Sequence, residues 1–263
     1  MACAQFAVIS NIAEADQSAL SGAIESRHRS PEYTKRDAAR HPMETLSFFG
    51  VTPSMSVVEI WPGGGWYTEI LAPLLNENGH FFAAHFPKDT SLTFFRNSRD
   101  SFKRKLNAEP LQYDKVTLTE LSSRNISKVA PEHSADMVLT FRNVHNWISA
   151  GGDKLAFASF YNALKPGGIL GVVEHRAHAN TSIENMKKSG YVTENHVIFL
   201  AESAGFKLVA RSEINANPKD KKNHPKGVWT LPPTFRLGDK DRQTYIAIGE
   251  SDRMTLKFKK PLK

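Results

Sequence analysis

From Met55 onward the chain alternates between short apolar runs and stretches with helical spacing of apolar residues, the pattern of parallel strands joined by crossover helices. The runs predict strands at about 56 to 60, 80 to 84, 114 to 118, 136 to 140 and 168 to 174. The periodic stretches predict helices over Tyr67 to Leu75, Thr90 to Leu106, Asp153 to Leu164 and Thr193 to Ala204. Two further segments, Lys207 to Ile214 and Met254 to Phe258, alternate in side-chain character and read as an antiparallel edge pair with a long insertion between them. "LKPGG", Leu164 to Gly168, reads as a helix end followed by a turn on two glycines into the most apolar strand. The sum is an α/β chain: a three-layer αβα sandwich around a doubly wound, mostly parallel sheet of seven strands. Ahead of it, residues 1–50 read as a helical extension running through Ala13 to Ile24 and Pro31 to Gly50, with Ser30-Pro31 as a helix start. Residues 51–263 then form one domain carrying an insertion at 213–239.

Composition narrows the function classes. With 263 residues, 40% of them apolar, the chain can bury a large core. No apolar run approaches the about 20 residues that cross a bilayer. The net charge of +7 raises the question of a polyanion partner. Its basic residues concentrate in Lys219 to Lys226 and Lys257 to Lys263, with few interleaved aromatics to stack on bases, which argues against a nucleic acid and for solvated segments. The single cysteine, Cys3, excludes an intramolecular disulfide and a cysteine zinc cluster, so the reducing cytosol is the default compartment; export is the alternative if a leader has been trimmed. The ten histidines include no H-x-x-x-H spacing, and no metal site is expected. No G-x-S-x-G elbow occurs either.

In a doubly wound sheet, ligands bind beyond the carboxyl ends of the strands, where the strand order reverses beside the first strand. "VVEIWPGGGWYTE", Val57 to Glu69, lies there, and its three glycines let backbone approach a ligand at the start of a helix. A dinucleotide fingerprint requires G-x-G-x-x-G, but Thr68 stands at the third glycine's place, which opposes a nicotinamide-dependent oxidoreductase. The spacing Glu59, Gly63, Gly65 instead gives E-x-x-x-G-x-G. This resembles the first motif of the class I S-adenosylmethionine-dependent methyltransferases, a Rossmann-like family. "ADMVLTFRNVHNW" (Ala135 to Trp147) resembles its fourth strand and following loop, and "FYNALKPGGILGVVEHR" (Phe160 to Arg176) its fifth strand with the preceding turn. The likeness spans roughly residues 43 to 260, and the wider phrasing resembles a bacterial group described only as predicted methyltransferases. It implies S-adenosylmethionine as cofactor, held by Glu59, Trp61, Gly63, Gly64, Gly65, His85 and Asn143. Trp61 stands where the family commonly has glycine, so its indole either lines the cofactor pocket or turns back into packing. His85 stands where an acid usually holds the ribose, with Asp89 as a nearby substitute.

Methyl transfer from a sulfonium needs alignment first, and a base only when the acceptor arrives protonated. His145, in "NVHNW", resembles the His-Asp-Trp segment of small-molecule O-methyltransferases and is the candidate base. Asn146 replaces the acid there, so an orienting partner must come from elsewhere. A histidine that caps the strand end is the structural alternative. Glu174, Arg176, Tyr191 and Trp229 are candidates to contact a small-molecule acceptor; an ion pair would equally explain Glu174 and Arg176, and packing the aromatics. Arg142 could pair with an acidic helix. The insertion, with Trp229 and Phe235, reads as an ordered lid. Remaining rivals are a catalytically silent cofactor-binding protein of this fold and a nucleic-acid methyltransferase, the latter opposed because Phe141-Arg142-Asn143-Val144 lacks the Pro-Pro-aromatic stretch.

Overall fold

In the computed structural model, residues 14–263 are described; Cys3 and Ala13, the first residue of the predicted N-terminal helix, lie outside them. The chain enters through α1 (residues 14–24), α2 (Pro31–Thr34), α3 (Asp37–Arg40) and α4 (Pro42–Phe49), the last closed by Gly50 in the left-handed conformation. Then follow β1 (Ser56–Ile60), α5 (Thr68–Leu75), β2 (His80–His85), α6 (Thr93–Ala108), α7 (Pro110–Tyr113), β3 (Val116–Glu120), β4 (Ala135–Phe141), α8 (Val144–Ala150), α9 (Asp153–Ala163) and β5 (Leu164–His175). The chain finishes with α10 (Ile183–Ser189), α11 (Glu194–Ser203), β6 (Lys207–Ser212), a 3-10 turn (Gly227–Thr230), α12 (Arg242–Ile248) and β7 (Arg253–Lys259).

The seven strands are ordered β3-β2-β1-β4-β5-β7-β6. Pairing is parallel from β3 through β5, and β7 runs antiparallel between β5 and β6. Strand order therefore reverses between β1 and β4, and the ends of these two strands set the mouth. Alternation divides each central strand between two cores. Val58, Ile60, Val138 and Val172 face α8, α9 and α11, packing with Trp147, Phe157, Phe160 and Leu200. Val57, Met137, Leu139 and Val173 face the other layer, with Phe49, Ile70, Leu71 and Phe102. Each fully buried aliphatic or aromatic side chain contributes on the order of 1.5–3 kcal/mol, so the two layers clamp the sheet from both sides.

Differences from the sequence reading have local causes. β3 begins at Val116, two residues late, because Pro110 starts the short α7 just before it. The Leu164–Gly168 segment joins β5 rather than forming a separate turn: Leu164 pairs with Ala135, and the register slips before Ile169 meets Met137. The segment after β4 is helix, not loop, and α10 and α12 were likewise not anticipated. Each spans 7 residues, two turns, too few for helical periodicity to stand out.

Candidate functional site

The glycine loop leaves β1 through Trp61, whose backbone takes the left-handed region at φ 45° while its N–H donates to Ala84 O (2.8 Å). Gly63 and Gly65 are left-handed as well, at φ 60° and 90°. Three such residues in five turn the chain sharply into α5, and a side chain at either glycine would be strained. Space beside Gly63 is open, whereas a Cβ on Gly64 would collide with the Tyr33 hydroxyl and one on Gly65 would press on Phe102. Tyr33 donates its O–H to Gly64 O (2.8 Å), so α2 of the extension lies directly on the loop.

Glu59 sits beneath the loop with 2% of its surface exposed, accepting from Thr68 Oγ1 at 2.6 Å. Burial pushes its carboxyl up to about 7, with the Thr68 bond and the Arg142 and Arg40 charges acting against the rise. Asn143 donates through Nδ2 to Ile60 O (2.9 Å) and Thr140 Oγ1 (3.2 Å), tying the end of β1 to the end of β4. His85 ends β2 as expected but departs from the anticipated ribose contact. Its Nε2 donates to Gly63 O (3.2 Å), its Nδ1 accepts from Phe86 N (2.8 Å), and burial holds the ring neutral, its pKa lowered to about 4. With both nitrogens engaged, His85 braces the glycine loop.

The Trp61 side chain turns back into packing. The indole packs against Phe86, Phe95 and Trp147, with ring centroids 4.6, 5.8 and 5.5 Å away, and donates Nε1–H to Leu121 O (3.1 Å). It also walls a cavity of about 240 Å³ at the ends of β1, β2 and β3, bounded by Asp89, Thr90, Phe95 and Ser122 among others. Asp89 lines this cavity, and His85 is not among its lining residues.

On the other side of the mouth, His145 lies in the first turn of α8, beside Glu174 at the end of β5. His145 Nδ1–H donates to Glu174 Oε1 (3.0 Å), which also accepts His175 N–H (2.8 Å). The second oxygen accepts Val144 N–H (2.5 Å) and His145 N–H (3.3 Å), so one carboxylate both caps the N-terminus of α8 and aims the imidazole. Trp229 from the insertion stands edge-on to the His145 ring at 6.0 Å. Lined up with His175, these residues offer a three-ligand cluster for a metal. The chemistry opposes that reading: both Glu174 oxygens already accept two N–H donors each, His175 Nδ1 is bonded to Ser251 Oγ (2.6 Å), and burial with the neighbouring His145 and the Arg142, Arg253 and Arg40 charges disfavours a further cation.

Two anticipated acceptor contacts lie elsewhere. Arg176 is locked between Asp252, Glu194 and Glu213, at 2.7 to 3.2 Å, rather than facing the mouth. Tyr191, 1% exposed, donates its hydroxyl to Asp220 (2.8 Å) and belongs to a small core with Ala177 and Val228. Arg142 pairs with no acidic helix: its backbone is left-handed at φ 62°, and Nη1 is buried without a hydrogen-bond partner among the described residues. Tyr33, and the arginines Arg40 and Arg253 near Arg142, were not singled out from the sequence, where nothing distinguishes them from ordinary surface residues.

No family model and no curated protein matches the chain. Solved structures do. A SAM-dependent methyltransferase from Aquifex aeolicus is 17% identical, with a TM-score of 0.55 over 76% of this chain and 93% of that one. The [4+2]-cyclase SpnF is 15% identical, with a TM-score of 0.59 over 91% and 86%. The glycopeptide N-methyltransferase MtfA, complexed with S-adenosyl-L-methionine, is 13% identical, with a TM-score of 0.53 over 86% and 93%. The fold is that of the S-adenosylmethionine-dependent methyltransferases. A cyclase among these structures illustrates why a methyltransferase fold leaves the chemistry to be argued from the site itself.

Among the described residues no helix is long and apolar enough to cross a membrane.

Proposed function

We propose that this protein is an S-adenosylmethionine-dependent methyltransferase acting on a protonated small-molecule acceptor, with His145 as general base. The observation that carries the reading is the His145–Glu174 pair at the switch point of a methyltransferase fold. With Nδ1–H held by a carboxylate, the neutral imidazole keeps its lone pair on Nε2, the arrangement of a base ready to take a proton from a hydroxyl or amine. Glu174 then stabilises the imidazolium that forms.

The residues present fit the cofactor in part without rearrangement. The cavity beside Trp61 would take the adenosine half, with Asp89 accepting from the ribose and the indole as a wall; Gly63, with open space beside it, would pass under the ribose end. Asn143 and Glu59 would face the methionine half. When bound, S-adenosylmethionine supplies an activated methyl group on a sulfonium. The chain's own part is to align the acceptor and remove its proton.

Tyr33 covers the loop in the described conformation, so α2 would have to yield as a lid for the methionine half to enter. That same covering favours the rival reading, a silent protein of this fold. Incubation with methyl-labelled S-adenosylmethionine and a metabolite extract separates the two. The methyltransferase reading expects label in a small molecule, reduced about 10²–10⁴-fold by His145→Asn; label that never leaves the cofactor in the wild-type protein supports the silent reading.

A further inference from the structure

The residues around the mouth carry a charge imbalance that the dyad does not use. Arg40 ends α3 and Arg253 begins β7, 3% and 2% exposed. Arg142 follows β4, half-buried as a residue but with its Nη1 enclosed. Arg253 pairs in register with His175, next to Glu174 at the end of β5, and Arg142 directly follows the neighbouring β4, so both stand at the strand ends that carry the dyad. The carboxylate in contact with this group is Glu250, bonded to Arg36 Nε (2.6 Å) and Arg253 Nη2 (3.1 Å) and 3.9 Å from Arg40 Nε. Three guanidiniums thus contact one carboxylate, and Arg142 contacts none among the described residues.

Four of their buried nitrogens have no hydrogen-bond partner among the described residues: Arg40 Nε and Nη1, Arg142 Nη1 and Arg253 Nη1. Arg40 is held in part by the face of Trp66, 4.5 Å from the ring centroid, a contact that balances little charge. Arg253 is otherwise satisfied, by Glu250, Ser251 O (3.1 Å) and Ala39 O (2.9 Å), so the shortfall falls on Arg40 and on Arg142 with its left-handed backbone. Buried guanidinium nitrogens without partners are costly, and a chain keeps them together where a ligand completes them. Burial and mutual repulsion accordingly weaken the hold of Arg142 on its proton, down to about 10. Guanidinium forks match the planar or tetrahedral oxygens of carboxylate and phosphate.

We infer that Arg142, together with Arg40 and Arg253, binds an oxyanion of the methyl acceptor, a carboxylate or phosphate group, and so orients the acceptor towards His145. The anion site stands on the unpartnered guanidiniums alone; its assignment to an acceptor rests on the function proposed above.

Inorganic phosphate is the probe, titrated against chloride at constant ionic strength while the melting temperature is followed. Wild-type protein is expected to show a saturable rise, roughly 5 °C at high phosphate. Arg142→Gln should melt no lower than wild type without phosphate, having lost an uncompensated buried charge, and should not respond to phosphate. Arg142→Lys, which keeps the charge but not the fork, should respond weakly. A wild type without a saturable response, or an Arg142→Gln variant that responds as wild type does, overturns the site. Calorimetry of S-adenosylmethionine in saturating phosphate assigns the anion's source: unchanged cofactor affinity supports the acceptor. Weakening seen in wild type but absent in Arg142→Gln would give the arginines to the cofactor's own carboxylate and overturn the acceptor assignment. Phosphate binding in a protein that ignores S-adenosylmethionine would leave the anion site standing and bring down the methyltransferase reading.

Discussion

Glu174→Gln isolates the group on which the proposed chemistry turns. The side chain is fully buried and accepts four N–H donors: Val144 and His145 backbone on one oxygen, His175 backbone and His145 Nδ1 on the other. A glutamine of the same shape keeps one oxygen, and the two donors capping α8 are the pair it can best retain. Its NH₂ then points at His175 N–H and at His145 Nδ1. His175 N–H is left without an acceptor, at a cost of about 1–3 kcal/mol, and the cap bonds fall from charge-assisted to neutral, about 1 kcal/mol more. The expected loss is therefore about 2–4 kcal/mol in urea unfolding, small enough for the variant to fold. The larger consequence concerns the imidazole: Nδ1 now accepts from the amide, the proton moves to Nε2, and the base faces the acceptor in the wrong tautomer. Methyl transfer should fall by about 10²–10⁴ while S-adenosylmethionine affinity, which does not depend on this pair, changes little. A Glu174→Gln variant that loses stability as stated yet retains wild-type turnover would refute the base assignment and reduce Glu174 to a helix cap.

Three other outcomes are expected. Because burial raises the Glu59 carboxyl from 4.5 to about 7, the folded state binds the extra proton; its stabilisation is complete below pH 4.5 and lost as pH rises through 7, about 3 kcal/mol in all, and Glu59→Gln should flatten that part of the stability–pH curve. An unchanged slope in the variant would show that Glu59 ionises freely. Trp61→Gly should destabilise by roughly 2–4 kcal/mol, since the lost indole packing, about 3–5 kcal/mol, outweighs the about 1 kcal/mol gained by relieving the positive φ; a variant as stable as wild type in urea would mean that the indole is not core. Arg176→Met should cost about 1–3 kcal/mol, discounted because Glu213 is largely exposed, and leave cofactor binding intact; loss of cofactor binding in that variant would return Arg176 to the site.

How far the sequence could be read depended on the range of the interactions involved. Strands β1, β2, β4 and β5 announce themselves because each is apolar on both faces, and the glycine loop because left-handed backbone has few residues that suit it. The position of His145 directly after β4 was legible. Its partner was not recognised as such: Glu174 lies 29 residues away, and the adjacency of β4 and β5 alone brings the two together. Tyr33 was invisible for the same reason, meeting Gly64 across 31 residues with no pattern to mark it. His85 misled because position along a strand gives the side chain's neighbourhood but not its partners, and the loop carbonyl of Gly63 reached the ring first. The arginine group escaped notice because its members come from α3, the end of β4 and the start of β7, and only their burial without partners distinguishes them from the chain's other basic residues.

Isothermal titration of S-adenosylmethionine into the wild-type protein and Tyr33→Ala tests the central claim most directly. In the proposed reading cofactor entry displaces the Tyr33–Gly64 hydrogen bond, so the account predicts one saturable site in both proteins, about fivefold tighter in the variant, the equivalent of about 1 kcal/mol for that bond. Absence of binding heat in both proteins, with Tyr33 removed and the loop uncovered, would contradict it.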